Sequence, residues 1–177
     1  MVSVYIPCRG QVVVEDNGEV FNRLQEIQSA ITNERARDPE LELCIAGDMN
    51  RHDILWGGAT ITNGVRQGEG SRILDSIEEN DLHIATPRGM ITQERNEQSS
   101  TVDLIMLSEK LYEDRTVCKA FENEYGSDRR AIHTAINTPT KQDATRLQGT
   151  ISRRQIGSQF EIIFRGQQKA NLLLITT

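Results

Sequence analysis

The sequence predicts a layered domain of the α/β or α+β class, and two observations support this prediction. Short apolar segments with strand composition are mixed with two segments of helical periodicity, a pattern typical of sheets covered by helices. The chain has 177 residues, 37% of them hydrophobic and 26% charged, which suits one globular domain followed by a tail. It contains no apolar run long enough to cross a membrane.

The individual elements are predicted from periodicity and from breaker residues. Helices are expected over 19–37, which Asp38-Pro39 ends, and over about 69–80. Their inner faces are Val20, Leu24, Ile27 and Ile31 in the first helix and Ile73, Leu74 and Ile77 in the second. Strands are expected at 2–6, 41–46, 82–85, 90–93, 101–107 and 131–136. A turn is expected at 15–18 and a loop from Gly47 to Gly58.

The last part of the chain lacks a clear pattern. Residues 138–177 are polar at first and then contain the apolar runs QFEIIF and ANLLLITT, which have no obvious partner element. We therefore divide the chain into a partial domain at 1–137 and a tail of uncertain structure at 138–177. Two interpretations of the tail stay open. It is either a flexible linker with a docked strand or helix, or sequence read through past a truncation and no longer under the constraint of the domain.

Charge and cysteine content limit the possible partners. Residues 138–177 carry six basic and two acidic residues, a net +4, so the −6 of the whole chain leaves −10 on residues 1–137. An acidic body is a poor electrostatic partner for a phosphate backbone, which counts against tight DNA binding. The isolated cysteines Cys8, Cys44 and Cys118 form neither a disulfide framework nor a zinc motif and indicate an intracellular protein with reduced thiols.

The segment Gly47-Asp48-Met49-Asn50 follows an apolar strand and places two polar side chains at its carboxyl end. If the backbone stays extended, Asp48 and Asn50 point to the same side. A carboxylate beside a carboxamide can align and deprotonate a water while it holds a phosphate oxygen. The structural alternative is a turn in which the Asx side chain bonds its own backbone, and for an isolated tetrapeptide this is the commoner outcome.

Two further segments gain meaning only in combination with the first. Ser100-Thr101-Val102-Asp103 opens an apolar strand, where an acidic side chain is costly unless it is paired. Taken alone, it indicates an Asp at a strand end near solvent. Gly126-Ser127-Asp128 precedes another strand and by itself predicts only a turn.

In this order and at these separations, the motifs resemble the endonuclease/exonuclease/phosphatase superfamily, most closely the endonuclease domain of non-LTR retrotransposons. That family has a Tyr strand, then G-D-x-N, then S-x-(I/V)-D, then S-D-H. The matching residues are Val4-Tyr5-Ile6-Pro7, Asp48 and Asn50, Ser100 and Asp103, and Ser127 and Asp128. The resemblance covers residues 2–137 and implies two packed β-sheets flanked by helices, a four-layer sandwich.

The resemblance also implies Mg²⁺-assisted hydrolysis of a phosphodiester in DNA, at one end of the two sheets. In that reaction Asp48 would align the attacking water, and Asn50 would bind the phosphate. Tyr5 would contact the phosphate or the leaving group. Asp128 would lie near the metal, and Asp103 would orient the His of the S-D-H motif.

The sequence departs from this pattern in two places. The family domain has an N-terminal half, before the Tyr strand, that supplies an Asn and the Glu that is the main metal ligand. This sequence begins at Met1, so we expect an N-terminally truncated domain with a weakened Mg²⁺ site. In addition, Arg129 stands where the motif has His, and arginine stays protonated and cannot act as a general base. We predict that Arg129 forms a salt bridge with Asp103 or Asp128.

None of the three histidines is predicted to replace the missing one. His133 lies four residues beyond Arg129 along a strand, His83 is predicted to be an ordinary strand residue, and His52 sits beside the motif loop. Trp56 is expected to cap that loop by packing.

Three functions are consistent with these observations. The favoured prediction is a truncated, inactive endonuclease/exonuclease/phosphatase-family domain of retrotransposon origin. The alternatives are an active Mg²⁺-dependent endonuclease or phosphodiesterase, and a non-catalytic binding scaffold. The resemblance implies DNA as the partner, weakened by the acidic body, and a location in the nucleus. Sheet edges left bare by a truncation would favour self-association.

Overall fold

A computed structural model gives the fold and the bounds of its elements. It describes residues 2–5, 17–61, 70–95, 98–121, 128–137, 152–156, 159–164 and 174–175, with side chains described in 21–58, 70–95, 98–121 and 128–137. The helices are α1 (Asn17–Arg37), α2 (Ile54–Ile61), α3 (Ser71–Glu79) and α4 (Glu109–Glu113). The strands are β1 (Val2–Tyr5), β2 (Glu42–Asp48), β3 (Leu82–Ile84), β4 (Gln93–Arg95), β5 (Gln98–Ser100), β6 (Asp103–Ser108), β7 (Arg115–Ala120), β8 (Ile132–Asn137), β9 (Ser152–Ile156), β10 (Gln159–Phe164) and β11 (Leu174–Ile175).

The strands form two main sheets and a small ribbon. The first sheet has the order β1-β2-β6-β3, and β11 also pairs with β2. In it, β1 is parallel to β2, whereas β6 is antiparallel to both β2 and β3. The second sheet has the order β7-β8-β10-β9, and β4 pairs with β5 in the ribbon. The two central strands of the first sheet, β2 and β6, carry the acidic motifs.

The first sheet has apolar residues on both faces, because successive side chains of β2 and β6 point in opposite directions. On one face, Leu43, Ile45, Leu104 and Met106 pack with Ile31 of α1 and Ile73 of α3. On the other face, Cys44, Ala46, Ile105 and Leu107 pack with Ile132 and Ile136 of the second sheet. Helices α1 and α3, the first sheet and the second sheet therefore form three successive layers, and the mixed α/β or α+β class is confirmed. The predicted fourth layer stays a prediction.

The longer predicted elements agree with the structure. The helix predicted over 19–37 is α1, and its expected inner residues Leu24, Ile27 and Ile31 pack into the core. The helix predicted over 69–80 is α3, with Ile73 buried and Leu74 and Ile77 against the same core. The strands predicted at 2–6, 41–46, 82–85, 101–107 and 131–136 correspond to β1, β2, β3, β6 and β8.

Several local predictions were wrong. The predicted loop from Gly47 to Gly58 was wrong at its two ends, which contain the end of β2 and the start of α2, where Trp56 is buried in the core; Gly58 does interrupt α2, with φ 69° and ψ 170°. The predicted turn at 15–18 overlaps α1, which already begins at Asn17. The strand predicted at 90–93 begins only at Gln93. The segment 109–120, left unassigned, forms α4 and β7.

Strands also occur beyond residue 137. β10 pairs antiparallel with β8, β9 pairs with β10, and β11 pairs with Leu43 and Glu42 of β2. The predicted boundary between a domain at 1–137 and a tail at 138–177 stays a prediction. Within the described parts of the chain, no helix is both long and apolar enough to span a membrane.

Candidate active site

Two of the acidic motif residues lie side by side at one end of the first sheet. Asp48 ends β2, Asp103 begins β6, and the two residues are direct partners in the antiparallel pairing of these strands. The pairing continues beyond the strands, since the Met49 N–H donates to the Val102 carbonyl at 2.8 Å. Asp48 is 1% exposed and Asp103 is 0% exposed, so two carboxylates are buried next to each other. Such an arrangement requires a compensating positive charge or a bound proton.

Arg129 supplies that charge. Its Nη2 lies 2.6 Å from Asp48 Oδ2, and its Nη1 lies 3.0 Å from Asp103 Oδ2. Its Nη2 also donates to Asn50 Oδ1 at 3.2 Å. The Arg129 side chain is 8% exposed, so the guanidinium is held between the two strands, away from bulk solvent. The predicted salt bridge with Asp103 is confirmed, and Asp48 is a second partner that the sequence did not indicate.

The charges of this cluster depend on one another. Burial raises the pKa of Asp103 to about 7, an effect that the Arg129 guanidinium opposes and the Asp48 carboxylate increases. Burial also raises the pKa of Asp48, again against the influence of Arg129. Burial acts to lower the pKa of Arg129, but the carboxylates of Asp103 and Asp48 outweigh it and raise that pKa. Arg129 therefore stays charged, while Asp103 can take up a proton near neutral pH.

Asn50 combines the two interpretations that its motif allowed. Its φ of 45° is in the left-handed region, so the backbone leaves the extended conformation here, and the condition under which Asp48 and Asn50 would point to the same side is not met. Its N–H donates to Asp48 Oδ1 at 3.1 Å, which is the Asx turn considered as the structural alternative. Its side chain nevertheless reaches the cluster through Arg129. The tetrapeptide is thus a turn that also directs both polar side chains to one place.

Comparison with known proteins identifies the family. A family model described as endonuclease-reverse transcriptase matches residues 1–133. The chain belongs to the endonuclease-reverse transcriptase family. The family is one of nucleases, whose members commonly use divalent metals. No curated protein matches the chain.

A solved structure agrees with this family. It is the endonuclease domain of TRAS1, a telomere-specific non-LTR retrotransposon. The sequences are 21% identical, the TM-score is 0.50, and the likeness covers 64% of this chain. At that identity the likeness supports the fold of an endonuclease domain. The chain spans about half of the similar structure, 49% of its length.

Tyr5 and Asp128 are two further positions of the family pattern. Tyr5 is the register partner of Asp48 across β1 and β2, so its backbone is beside the site, and its side chain is outside the described residues. Asp128 Oδ2 accepts a hydrogen bond from Gln93 Nε2 at 3.5 Å. Ser127 is not among the described residues. The catalytic, substrate-binding and metal-binding roles expected of the motif residues stay predictions.

The described residues do not fit a divalent cation at this end of the sheet. Within residues 21–58, 70–95, 98–121 and 128–137, no group of three or more His, Cys, Asp or Glu side chains is arranged to hold a metal. Asp48 and Asp103, the two carboxylates that do meet, already bind Arg129. A hard cation such as Mg²⁺ requires several oxygen ligands, and the guanidinium occupies the place between these two.

Two of the histidines and the tryptophan lie where a structural role predicts them. His83 is in β3, with its ring 5.0 Å from that of Tyr112, as expected for a strand residue. His133 is in β8, with its ring 5.7 Å from that of Phe121. Trp56 is fully buried, and its Nε1 donates to the Arg51 carbonyl at 3.2 Å, so the expected packing of this residue over the loop is confirmed.

Proposed function

We propose that this chain is a retrotransposon-type endonuclease domain in which Arg129 closes the reactive end of the first sheet, so that the domain does not hydrolyse phosphodiester bonds. The observation that carries the proposal is the simultaneous contact of one guanidinium with Asp48, Asn50 and Asp103. These are the residues that the resemblance assigns to water alignment, phosphate binding and orientation of a His.

The chemistry of the cluster supports this proposal. A general base needs a free lone pair and must reach the proton that it abstracts, but Oδ2 of Asp48 lies 2.6 Å from a permanent cation. Arg129 cannot replace a His as base or proton carrier, because its pKa is raised still further by the two carboxylates. Loss of one positioned acid–base group typically reduces a rate by roughly 10²–10⁴.

The ion pair is also expected to resist opening. Removing a guanidinium from two buried carboxylates leaves uncompensated charges, which costs roughly 3–5 kcal/mol. A substrate phosphate is negatively charged, so Asp48 and Asp103 at this end of the sheet would repel it. The parent reaction remains metal-dependent cleavage of DNA, and this chain would retain the fold without that reaction.

The test is nicking of supercoiled plasmid by the purified chain in millimolar Mg²⁺. Asp48→Ala serves as the matched negative control, and burial of Trp56 monitored by fluorescence verifies that each protein is folded. The proposal expects wild-type nicking no greater than that of Asp48→Ala. Nicking by the wild type that Asp48→Ala abolishes would show an active endonuclease, which is the alternative function favoured by the meeting of Asp48 and Asp103.

A second variant, Arg129→His, restores the ring that the resemblance implies. Nicking by Arg129→His, absent from the wild type and from the double variant with Asp48→Ala, would assign the block to Arg129. If the wild type and Arg129→His are both inactive while folded, the missing chemistry involves more groups than this one side chain. We also propose, from the family alone, that DNA and the nucleus are the setting of the parent protein.

A further inference from the structure

Thr92 joins the segments that carry the candidate site, although no motif in the sequence includes it. Its side chain is fully buried. Its Oγ1 accepts hydrogen bonds from the N–H of Val102 at 3.0 Å and from the N–H of Asp103 at 3.1 Å. The same hydroxyl donates to the Ser100 carbonyl at 3.5 Å. One side chain thus holds the point at which β6 begins.

The backbone of Thr92 extends this connection. Its N–H donates to the Ser100 carbonyl at 2.9 Å, and its carbonyl accepts from the Arg130 N–H at 2.8 Å. The next residue, Gln93, forms an antiparallel bridge with Arg129. Thr92 is therefore bonded both to the residue that presents one carboxylate and to the segment that presents the guanidinium.

The hydroxyl is needed because the start of β6 lacks a full strand neighbour on one side. β2 pairs with β6 as far as Asp103, whereas β3 pairs only with residues 106–108. A buried backbone N–H without an acceptor is unfavourable, so another group must accept from this edge. Two threonine hydroxyls do so: Thr92 for Val102 and Asp103, and Thr86 for Ile105 at 2.8 Å.

We infer that Thr92 is a positioning residue for the Asp103–Arg129 ion pair, acting through its hydroxyl on the Asp103 backbone and through its carbonyl on the segment of Arg129. A charge-assisted hydrogen bond weakens when its distance or angle changes. Loss of the hydroxyl is therefore expected to displace the Asp103 carboxylate relative to Arg129. This inference concerns the site of the proposed function and names what holds its closed arrangement in place.

The test compares Thr92→Val with Thr92→Ser in the full chain, and Thr86→Val is the matched control. All three variants change a buried threonine that bonds β6, but Thr86 contacts Ile105, two residues beyond Asp103. The measurements are amide hydrogen exchange and the carboxyl titration of Asp103 by ¹³C NMR. The charged groups that face this carboxyl are Arg129 and Asp48.

Thr92→Val is expected to accelerate exchange of the Val102 and Asp103 amides on the order of tenfold, as for the loss of one hydrogen bond. It is also expected to raise the Asp103 titration midpoint, because Arg129 then opposes protonation less and the Thr92 hydroxyl no longer hydrogen-bonds the carboxylate. Thr92→Ser retains the acceptor and should keep the wild-type midpoint. Thr86→Val should accelerate exchange at Ile105 and leave the Asp103 midpoint unchanged.

A wild-type midpoint in Thr92→Val, or an equal shift in Thr86→Val, would overturn the inference. Should Thr92→Val not fold, Thr92→Cys replaces it, since a thiol of similar size is a weaker acceptor and must move the midpoint in the same direction. An unchanged midpoint in that variant would equally overturn it. Wild-type nicking of plasmid would refute the proposed function and leave these hydrogen bonds untouched, so the two proposals fail separately.

Discussion

Replacement of Arg129 by methionine should destabilise the protein strongly near pH 8. The variant removes the charge and keeps an unbranched side chain, so its main effect is to leave Asp48 and Asp103 buried without the guanidinium that lies 2.6 and 3.0 Å from their oxygens. Removing one partner of a buried ion pair typically lowers the free energy of unfolding by roughly 3–5 kcal/mol. We expect a loss in this range at pH 8.

The loss should shrink as the pH falls. In the folded wild type the pKa of Asp103 is about 7, above its ordinary value. Protonation of Asp103 therefore stabilises the folded state. This contribution is present in full below about pH 4 and is lost as the pH rises through about 7. Arg129 opposes this rise in the pKa of Asp103 and also that of Asp48. Without Arg129 both pKa values rise further, and near pH 5 bound protons replace the missing cation. The variant should therefore be closer to the wild type at pH 5 than at pH 8.

Urea unfolding measured by Trp56 fluorescence is a suitable assay, because the chain has one Trp and that residue is fully buried. Arg130→Met is the matched control. Arg130 pairs with Glu94 at 2.6 Å, but these side chains are 35% and 47% exposed, and a pair at such a site contributes at most about 1 kcal/mol. If Arg129→Met lowers the free energy of unfolding no more than Arg130→Met at pH 8, or if its effect does not depend on pH, the buried cluster does not exist as described.

Three further substitutions test neighbouring parts of the site. Asn50→Gly should be about 1 kcal/mol more stable than Asn50→Ala in urea unfolding, because both remove the side chain but only alanine is strained at a φ of 45°; equal stabilities would contradict the left-handed turn. In the wild type, deprotonation of Asp103 should lower the free energy of unfolding by up to about 4 kcal/mol between pH 4 and 8, and Asp103→Asn should abolish this pH dependence. The same pH profile in both proteins would show that this carboxyl does not titrate near 7. Gly70→Ala would place a Cβ 2.2 Å from Trp56 Cη2 and should cost about 1–3 kcal/mol with a changed Trp emission, whereas wild-type stability would argue against this close approach.

The sequence was sufficient for the elements whose signal is local. The spacing of Leu24, Ile27 and Ile31 predicted α1, because a helix that covers a sheet needs one apolar face. The apolar run after Asp103 predicted β6 for the equivalent reason in a strand. The pairing of Arg129 with Asp103 was also predictable, since the resemblance places a basic ring against a carboxylate at these positions.

Features that depend on register and on distant packing could not be predicted in this way. Asp48 contacts Arg129 because β2 and β6 pair with Asp48 directly opposite Asp103, and nothing in either motif encodes that register. Gly57 and Gly58 indicated a loop, but α2 begins at Ile54 around the buried Trp56, and the chain leaves the helical conformation at Gly58, where φ is 69° and ψ is 170°. Thr92 gives no local signal, because its hydroxyl accepts from N–H groups that lie ten and eleven residues later, at the start of β6.

The same cluster accounts for the retention of two acidic residues in a domain that we propose to be inactive. Asp48 and Asp103 face each other on paired strands and are buried, so above neutral pH a cation beside them stabilises the fold whether or not hydrolysis occurs. Arg129 is a cation that belongs to the chain and binds both carboxylates together with Asn50. It can stabilise this end of the sheet without a divalent ion, but it uses the oxygen atoms that a metal or an attacking water would need. On this view, substitutions that free the carboxylates for chemistry must also lower stability, so any gain of nicking in Arg129→His should come with a lower free energy of unfolding.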